Sequence, residues 1–368
     1  MQPRRHEDTK TGPTSNGETV PARTLDSQRL AAFLRERLPA CGLDPRDLSA
    51  EMEVARFSGG HSNLTYLVRF GDLELVIRRP PQGPLPPAAH DMAREYRWLA
   101  ALNPIFPLAP RPYLLCDDLN VIGSICYVME RRHGVVVRHD EPPALIDRPD
   151  QRRRVSEALV DALAALHAIR VDANGLFGLG KPSGFVERQV RGWTERWHRS
   201  KTEPVPEIEA IAAWLLEWVP PDPASPSIVH GDFKLDNVML DSSDAGRIVA
   251  IFDWEMSALG DPLIDVGILL AYWGPTAPPG HEVGANPFTD RPGWLTREEI
   301  VERYGAKSHR DVTHILFYEI FALFKAAVLI QQIFHRYSRG GTTDPRFARF
   351  DARVAFLARR AAARIESA

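Results

Sequence analysis

A chain of 368 residues is long enough for two lobes and a large buried core without disulfides or a structural metal. Its 44% hydrophobic and 25% charged residues are typical of a globular protein, and a formal net charge of -3 excludes a strongly basic nucleic-acid-binding protein. Three widely spaced cysteines argue against a zinc site or a disulfide framework, and they favour a reducing, cytoplasmic environment.

The first 130 residues contain a polar tail followed by a small lobe of strands and helices. Residues 1–25 are polar and lack the apolar core of a secretory signal, so we expect a disordered tail there. Asp26 or Ser27 is the expected cap of a first helix, which Pro39 ends. Residues 26–130 then form a small N-terminal lobe in which β-branched and aromatic runs surround one further helix. The predicted strands are 54–58, 65–70, 74–78, 113–116 and 123–130, and the helix is 90–102.

Helical periodicity dominates the chain beyond residue 130. The predicted helices are 152–169, 185–201, 207–219, 297–304, 312–337 and 346–365, interrupted by one β-like stretch over 228–253. No run of eighteen apolar residues predicts a membrane span. The sequence therefore predicts an α+β fold, with a small antiparallel sheet lobe over 26–130 and a mainly helical lobe over 131–368.

The β-like stretch carries the residues on which a chemical function depends. It reads IVHGDFKLDNVML over 228–240 and IFDWE over 251–255. Phosphoryl transfer needs a carboxylate beside an acceptor hydroxyl and ligands for Mg²⁺ that neutralise phosphate charge. Asp232 is suited to orient and deprotonate the hydroxyl. Asn237 and Asp253 offer oxygen atoms, which Mg²⁺ prefers.

HGD-x-x-x-x-N, FDWE and the GDPLID of 260–265 together resemble the aminoglycoside phosphotransferase and choline kinase family of the protein-kinase-like superfamily. The chain looks most like the branch found joined to acyl-CoA dehydrogenases in some animal proteins. The resemblance covers about 50–340 and implies a bilobal kinase-like fold that uses ATP and Mg²⁺. It implies that Asp232 is the catalytic base, that Asn237 and Asp253 are the metal ligands, and that Asp265 braces the catalytic loop.

A glycine-containing loop between the first two predicted strands resembles the family's nucleotide-positioning loop. Glycines allow backbone amides to approach phosphate oxygens closely, although Gly-Gly between strands is also typical of a plain hairpin turn. The loop consists of Ser58, Gly59, Gly60, His61, Ser62 and Asn63.

A kinase also needs a cation over the α- and β-phosphates, normally a strand lysine fixed by a helix glutamate. Arg78 occupies the lysine position here, and Glu95 on the next helix is its expected partner. Met129, Glu130 and Arg132 follow the last strand, where the hinge of a kinase bonds the adenine edge. These residues assign nucleotide binding to the N-terminal lobe, whereas surface charges and an ordinary strand end remain the alternatives.

The acceptor must be recognised by the helical lobe. Only eleven residues separate Asp253 from Asp265, too few for a peptide platform, so we expect a small molecule. From Lys325 to the end, nine basic residues stand against three acids, which favours an anionic acceptor such as a hydroxyacyl-CoA or a hydroxy acid over a cationic aminoglycoside. A helix whose arginines face water would explain the same charges.

Three further questions stay open at the level of sequence. Arginine at position 78 instead of lysine favours a nucleotide-binding pseudokinase with a regulatory role, whereas the intact acidic residues favour an enzyme. An aminoglycoside O-phosphotransferase is the second alternative. Four tryptophans, at 193, 197, 214 and 218, either line an apolar acceptor pocket or pack the helical core.

Overall fold

A computed structural model describes residues 19–21, 25–57, 63–81, 91–138, 140–173, 175–278 and 288–367. The chain divides into two compact units. The first contains the chain up to Tyr96 together with Arg111–Arg131, and the second contains Arg97–Pro110 and Arg132–Ala368. The predicted N-terminal lobe of 26–130 differs from the first unit, because Arg97–Pro110 belongs to the second unit.

The first unit is built on a six-stranded antiparallel sheet with the order β1-β2-β3-β4-β6-β5. The strands are β1 (Thr19–Pro21), β2 (Met52–Phe57), β3 (Leu64–Phe70), β4 (Leu73–Arg79), β5 (Pro112–Cys116) and β6 (Cys126–Glu130). β1 lies inside the segment expected to be disordered, so that expectation is wrong for these three residues. They pair with the edge of β2, which would otherwise leave its backbone groups unpaired.

One face of this sheet carries the core of the first unit. Tyr66, Val68 and Phe70 alternate along β3 toward the buried side, as the two-residue period of a strand requires. Helix α1 (Ser27–Arg37) packs Leu30 and Leu34 into the same cluster. Asp26 caps α1, as predicted, by accepting a hydrogen bond of 3.1 Å from the Arg29 amide. Helix α2 (Met92–Leu102) belongs to this unit up to Tyr96, and helix α3 (Leu119–Ile122) completes its elements.

The second unit is mainly helical and holds two small sheets. Its helices are α4 (Pro149–His167), α5 (Phe185–Ser200), α6 (Pro206–Glu217), α7 (Leu263–Tyr272), α8 (Arg297–Ser308), α9 (Ile315–Ser338) and α10 (Phe350–Glu366). The strands are β7 (Val135–Val136), β8 (Ser227–Val229), β9 (Val238–Leu240), β10 (Ile248–Ile251) and β11 (Ala258–Gly260), paired antiparallel in the orders β10-β9-β7 and β11-β8. The predicted α+β class is confirmed.

Several boundaries differ from the sequence prediction. The strand predicted over 123–130 begins only at Cys126, because α3 and Gly123 precede it. The last helix begins at Phe350, after a 3₁₀ turn over Pro345–Arg349. Helix α7 was not predicted at all, because nine of its ten residues are buried and no polar face reveals its period.

Helix α9 is the central helix of the second unit. By length and composition it could cross a membrane, with a mean hydropathy of 1.5. However, 78% of that apolar window is buried inside the structure, where α9 packs against α5, α7 and α10. Its apolar surface is therefore covered by protein, as expected for a core helix.

Close approach of α7 to α9 depends on Gly267. A Cβ atom at this position would lie 2.3 Å from the backbone oxygen of Tyr318 in α9. We expect Gly267→Ala to push the helices apart and to lower the free energy of unfolding by about 3 kcal/mol. Urea denaturation measures this loss.

Gly192→Ala in α5 is the matched control, because no other atom lies within 4 Å of the added Cβ. Alanine replaces glycine in an open helical position there, so the free energy of unfolding should rise by about 0.5–1 kcal/mol. Equal stability of the two variants would contradict the proposed packing of α7 on α9.

Candidate active site

The loop that follows β8 is held by one buried carboxylate. Asp265 of α7 is completely buried and accepts two backbone hydrogen bonds, at 2.6 Å from the His230 amide and at 2.7 Å from the Gly231 amide. The His167 imidazole lies beside it, with Nε2 3.2 Å from Asp265 Oδ2. The bracing contact that the family resemblance implies for Asp265 is therefore present.

Two buried histidines surround this carboxylate in their neutral form. Burial lowers the pKa of His167, although Asp265 opposes the shift. A neutral ring donates from Nε2 to Asp265 and accepts at Nδ1 from the Tyr304 hydroxyl, 2.8 Å away. Burial likewise lowers the pKa of His230, which donates from Nε2 to the Phe252 carbonyl at 2.9 Å. Both rings thus position other groups without adding charge to the site.

Gly231 occupies a position that only glycine fits. Its φ of +82° lies in the left-handed region, and a Cβ atom would lie 2.6 Å from the carbonyl oxygen of Met256. A side chain here would displace the loop from the segment that carries Asp253. This explains in physical terms why the motif has glycine between His230 and Asp232.

Asp232 is the central acid of the site and is 19% exposed. Its Oδ2 accepts from Lys234 Nζ at 2.6 Å and from Asn237 Nδ2 at 2.9 Å. Burial opposes ionisation of Asp232, but Lys234 and Lys325 outweigh it and lower the pKa of the carboxyl group. Within the described residues no donor bonds Oδ1. The site therefore presents one oxygen of an ionised carboxylate to an incoming group.

Asn237 links Asp232 to the segment that carries Asp253. Its Nδ2 donates to the backbone oxygen of Asp232 at 2.8 Å as well as to the carboxylate. Its own carbonyl accepts from the Phe252 amide at 2.8 Å. Asp253 follows with a φ of 68°, a strained backbone for a residue other than glycine and common at functional sites.

These contacts fit a Mg²⁺ ion. The amide nitrogen of Asn237 donates to Asp232, so Oδ1 is the side-chain atom that remains for binding a cation. Asp253 adds a carboxylate on the neighbouring segment. Both are hard oxygen donors, and Mg²⁺ in phosphoryl-transfer enzymes typically uses one or two such ligands together with phosphate oxygens.

The predicted phosphate-binding residues lie in the first unit. Arg78 Nε lies 3.1 Å from Glu95 Oε2, with the two side chains 12% and 1% exposed, so they are not solvated surface charges. The neighbouring Arg79 instead donates to the carbonyl oxygen of Ile122 at 2.9 Å. Asn63 is buried at the start of β3. The remaining loop residues, Ser58 to Ser62, lie outside the described residues.

The residues predicted to bond adenine already have protein partners. Glu130 donates from its backbone amide to the Arg111 carbonyl at 2.9 Å, and its side chain accepts from the Arg111 amide at 2.6 Å. Met129 is buried in β6. Arg132, in the second unit, donates to the carbonyls of Pro107 and Val249. The adenine role of Met129, Glu130 and Arg132 stays a prediction.

Lys325 was wrongly counted among the surface charges. It is only 6% exposed, donates to the Gly231 carbonyl, and places Nζ 5.5 Å from the centre of the Trp193 ring. Burial lowers its pKa to about 8, although Asp232 and Asp265 oppose the shift. A single lysine within the apolar run FALFKAAVLI of α9 was the signal for a buried functional charge.

The predicted basic surface is also smaller than the residue count suggests. Arg353 is only 5% exposed, Arg360 donates to the carbonyls of Ala271 and Pro275, and Arg364 pairs with buried Glu319. These arginines are partly turned into the protein because α10 packs along α9. The expectation of one basic acceptor surface on this helix is therefore wrong for these positions.

The tryptophans divide into two pairs. Trp193 and Trp197 of α5 are buried and pack the helical core. Trp214 stacks between Phe317 and Trp218, and the Trp218 side chain is 59% exposed. The core interpretation thus holds for the first pair, and none of the four lines the cavity described next.

A small cavity adjoins the Asp232 carboxylate within the second unit. Its polar lining is Asp232, Tyr272 and Lys325, and its aliphatic lining is Ile268, Ala322, Ala326 and Leu329. The aliphatic residues come from α7 and α9. The surface of the cavity is thus mostly apolar, although three polar residues contribute to its lining.

The sequence profile of the phosphotransferase enzyme family matches residues 53–300, which include the loop from His230 to Asn237 and the segment of Asp253. The chain belongs to this family. Human acyl-CoA dehydrogenase family member 11 is 31% identical over 341 residues, which cover 91% of this chain and 42% of that protein. The chain spans about two fifths of the length of the first curated relatives that it matches. The predicted resemblance, including its dehydrogenase-linked branch, is confirmed.

Solved structures of this family have the same fold. A Ralstonia eutropha protein named for the aminoglycoside phosphotransferases is 28% identical with a TM-score of 0.77, covering 93% of this chain and 99% of that one. An aminoglycoside phosphotransferase solved with AMP-PNP and hygromycin B is 16% identical with a TM-score of 0.53, covering 84% and 94% of the two chains. The second likeness shows the fold alone. The chain is thus a member of the phosphotransferase enzyme family and has a kinase-like fold.

Replacement of the bracing carboxylate should loosen the catalytic loop. In Asp265→Asn an amide replaces the charge that accepts from the His230 and Gly231 amides. We expect the free energy of unfolding to fall by about 3 kcal/mol, because two charge-assisted bonds are weakened in a buried site. Urea denaturation provides the measurement, with Asp172→Asn as the control, since Asp172 forms an exposed pair with Arg170. A loss as small as that of the control would refute the bracing role.

Proposed function

We propose that the chain transfers the γ-phosphate of ATP, with Mg²⁺, to the hydroxyl group of a small molecule, and that this acceptor is a hydroxyacyl-CoA or a hydroxy acid. One observation carries the proposal most strongly. The ionised carboxylate of Asp232 is held by Asn237 and Lys234 while its second oxygen stays available beside a cavity.

Asp232 would orient the acceptor hydroxyl and take its proton. As the O–H bond breaks, the acceptor oxygen bonds the γ-phosphorus, and the bond between that phosphorus and the β–γ bridging oxygen breaks to release ADP. The lowered pKa keeps Asp232 ionised at neutral pH, so it is ready to accept a hydrogen bond from the hydroxyl. Because transfer passes through a loose transition state, holding the hydroxyl in line contributes more than the strength of the base.

Asn237 and Asp253 would hold Mg²⁺, which supplies positive charge to the phosphate oxygens when it is bound. The left-handed backbone of Asp253 and the hydrogen bond between Phe252 and Asn237 keep these side chains on adjacent segments. Lys234 adds a second cation at the Asp232 carboxylate. The second unit thus contains the groups needed for the chemical step.

The first unit would contribute to nucleotide binding. Arg78, which pairs with Glu95, would take the place of the strand lysine that related kinases use. A guanidinium is planar and bonds two oxygens at once, so it suits phosphate oxygens but in a different geometry from lysine. The loop of Ser58, Gly59, Gly60, His61, Ser62 and Asn63 is proposed to complete the phosphate contacts through its backbone amides.

The acceptor class is supported by the charges and walls around Asp232. Two lysines lie at the site, at positions 234 and 325, and the cavity walls are aliphatic. A polycationic aminoglycoside needs acidic walls instead. Similarity to acyl-CoA dehydrogenase family member 11 supports an acyl acceptor. Buried free thiols, Cys116 and Cys126, support a reducing, cytoplasmic location.

Asp232→Asn tests whether the chain is an enzyme or a nucleotide-binding pseudokinase. An amide cannot take the hydroxyl proton, so we expect kcat to fall by about 10³-fold while the dissociation constant of Mg·ATP changes little. Transfer of labelled phosphate and calorimetric titration measure the two quantities. Asp150→Asn, at an exposed pair with Arg148, should retain full turnover. Unchanged kcat in Asp232→Asn would overturn the role of this carboxylate.

Acceptor preference tests the substrate class. We expect hydroxyacyl-CoAs and hydroxy acids to gain a phosphate, detected by mass spectrometry, with kcat/KM at least about tenfold above that for kanamycin, because a cation is repelled by Lys234 and Lys325. Matched reactions without enzyme and with Asp232→Asn are the controls. A preference for kanamycin would instead support an aminoglycoside O-phosphotransferase.

A further inference from the structure

Lys325 is a charged side chain that the proposed reaction does not yet use. It comes from the middle of α9, ninety-three residues after Asp232, yet its ammonium donates to the Gly231 carbonyl next to Asp232. Its neighbours on α9 are apolar and buried. A lysine is almost never buried so completely without a partner or a function.

A structural role explains only part of the hydrogen-bonding capacity of this ammonium group. An ammonium group has three N–H donors, and among the described residues the Gly231 carbonyl is the acceptor for one of them. Burying the charge costs free energy, which the Gly231 carbonyl, the Trp193 ring and the nearby carboxylates of Asp232 and Asp265 offset only in part. The lowered pKa, about 8, reflects that cost and still leaves the side chain mostly protonated at neutral pH.

The remaining donors have a place to act. Lys325 and Asp232 line the same cavity, but Asp232 forms its ion pair with Lys234, and no ion pair within 4 Å joins it to Lys325 among the described residues. The cavity walls between them are aliphatic. An acceptor whose hydroxyl lies at Asp232 would need only one further oxygen within this small cavity to bond Lys325.

We propose that Lys325 determines acceptor specificity by binding a carboxylate or carbonyl oxygen that neighbours the hydroxyl engaged by Asp232. This inference rests on the proposed phosphoryl transfer and specifies its substrate. The acceptor hydroxyl is then carried by an aliphatic chain close to an acid or thioester group. Cationic acceptors, and alcohols without such an oxygen, lose this contact.

The test compares two acceptors that differ in one group. 3-Hydroxyhexanoate carries a carboxylate near its hydroxyl, and 3-hexanol carries a methyl group in its place. With the whole 368-residue chain we expect kcat/KM to favour the hydroxy acid on the order of 30-fold, the size of one charge-assisted hydrogen bond. Lys325→Met should reduce this preference to less than about threefold while the KM for ATP stays within about twofold.

Matched variants separate charge from folding. Lys307→Met is the control, because Lys307 is half exposed and pairs with Asp161 away from the cavity. It should keep the wild-type preference. Lys325→Arg keeps the charge and should retain most of the preference for the acid. Thermal unfolding identifies any variant that does not fold.

A measurement on the wild-type protein does not depend on any variant. Hexanoate, which lacks the hydroxyl but keeps the carboxylate, should inhibit competitively against 3-hydroxyhexanoate. Hexylamine, of the same chain length but cationic, should inhibit at least about tenfold more weakly. Equal inhibition by the two compounds overturns the inference.

Other outcomes identify what is wrong. If Lys325→Met lowers kcat/KM equally for both acceptors, the lysine only braces the Gly231 carbonyl. A large rise in the KM for ATP means that it binds the nucleotide. Either result overturns the specificity role and leaves the proposed function intact. If the wild-type protein transfers phosphate to none of the acceptors tested, the proposed function fails and this inference fails with it.

Discussion

The arrangement of the second unit depends on one buried carboxylate. Asp265 is completely buried, and its oxygens are satisfied by the amides of His230 and Gly231 and by the His167 ring. A buried carboxylate is costly unless its oxygens are bonded, so α7 and the loop after β8 are each most stable in this mutual position. Asp232, the residue proposed to contact the acceptor hydroxyl, directly follows Gly231.

Packing extends this constraint to α9. The absence of a side chain at Gly267 lets α7 lie directly on α9, and α9 carries Lys325 back to the Gly231 carbonyl. The same loop is therefore held from two sides, by an anion on α7 and a cation on α9. Hydrogen bonds from both sides to the first two residues of the loop stabilise one geometry more sharply than apolar packing does, because hydrogen bonds depend on direction.

Local patterns in the sequence predict much of this account. The seven N-terminal strand and helix segments and the long helices have clear periods of two and 3.6 residues, and Asp232, Asn237 and Asp253 stand in a recognisable spacing. Helix α7 was not predicted, because burial on all sides removes the polar face from which an amphipathic helix is recognised. Strands β7 and β11 were not predicted, because segments of two or three residues are too short to show a period.

The long-range contacts could not be predicted in this way. Lys325 is ninety-three residues from Asp232, and no local rule brings them to one cavity. The arginines of α10 were read as a surface because a count of charges ignores the packing of α10 on α9. In both cases tertiary packing, rather than composition, decides whether a charge faces water or the protein interior.

The structure of the protein crystallised with Mg²⁺ and a non-hydrolysable ATP analogue tests the central claim most directly. The account predicts a metal ion bound by an oxygen of Asn237 and an oxygen of Asp253 at about 2.1 Å, with the Asp232 carboxylate outside the coordination sphere and directed at the terminal phosphate. A metal ion bound elsewhere, or a terminal phosphate remote from Asp232, would contradict it.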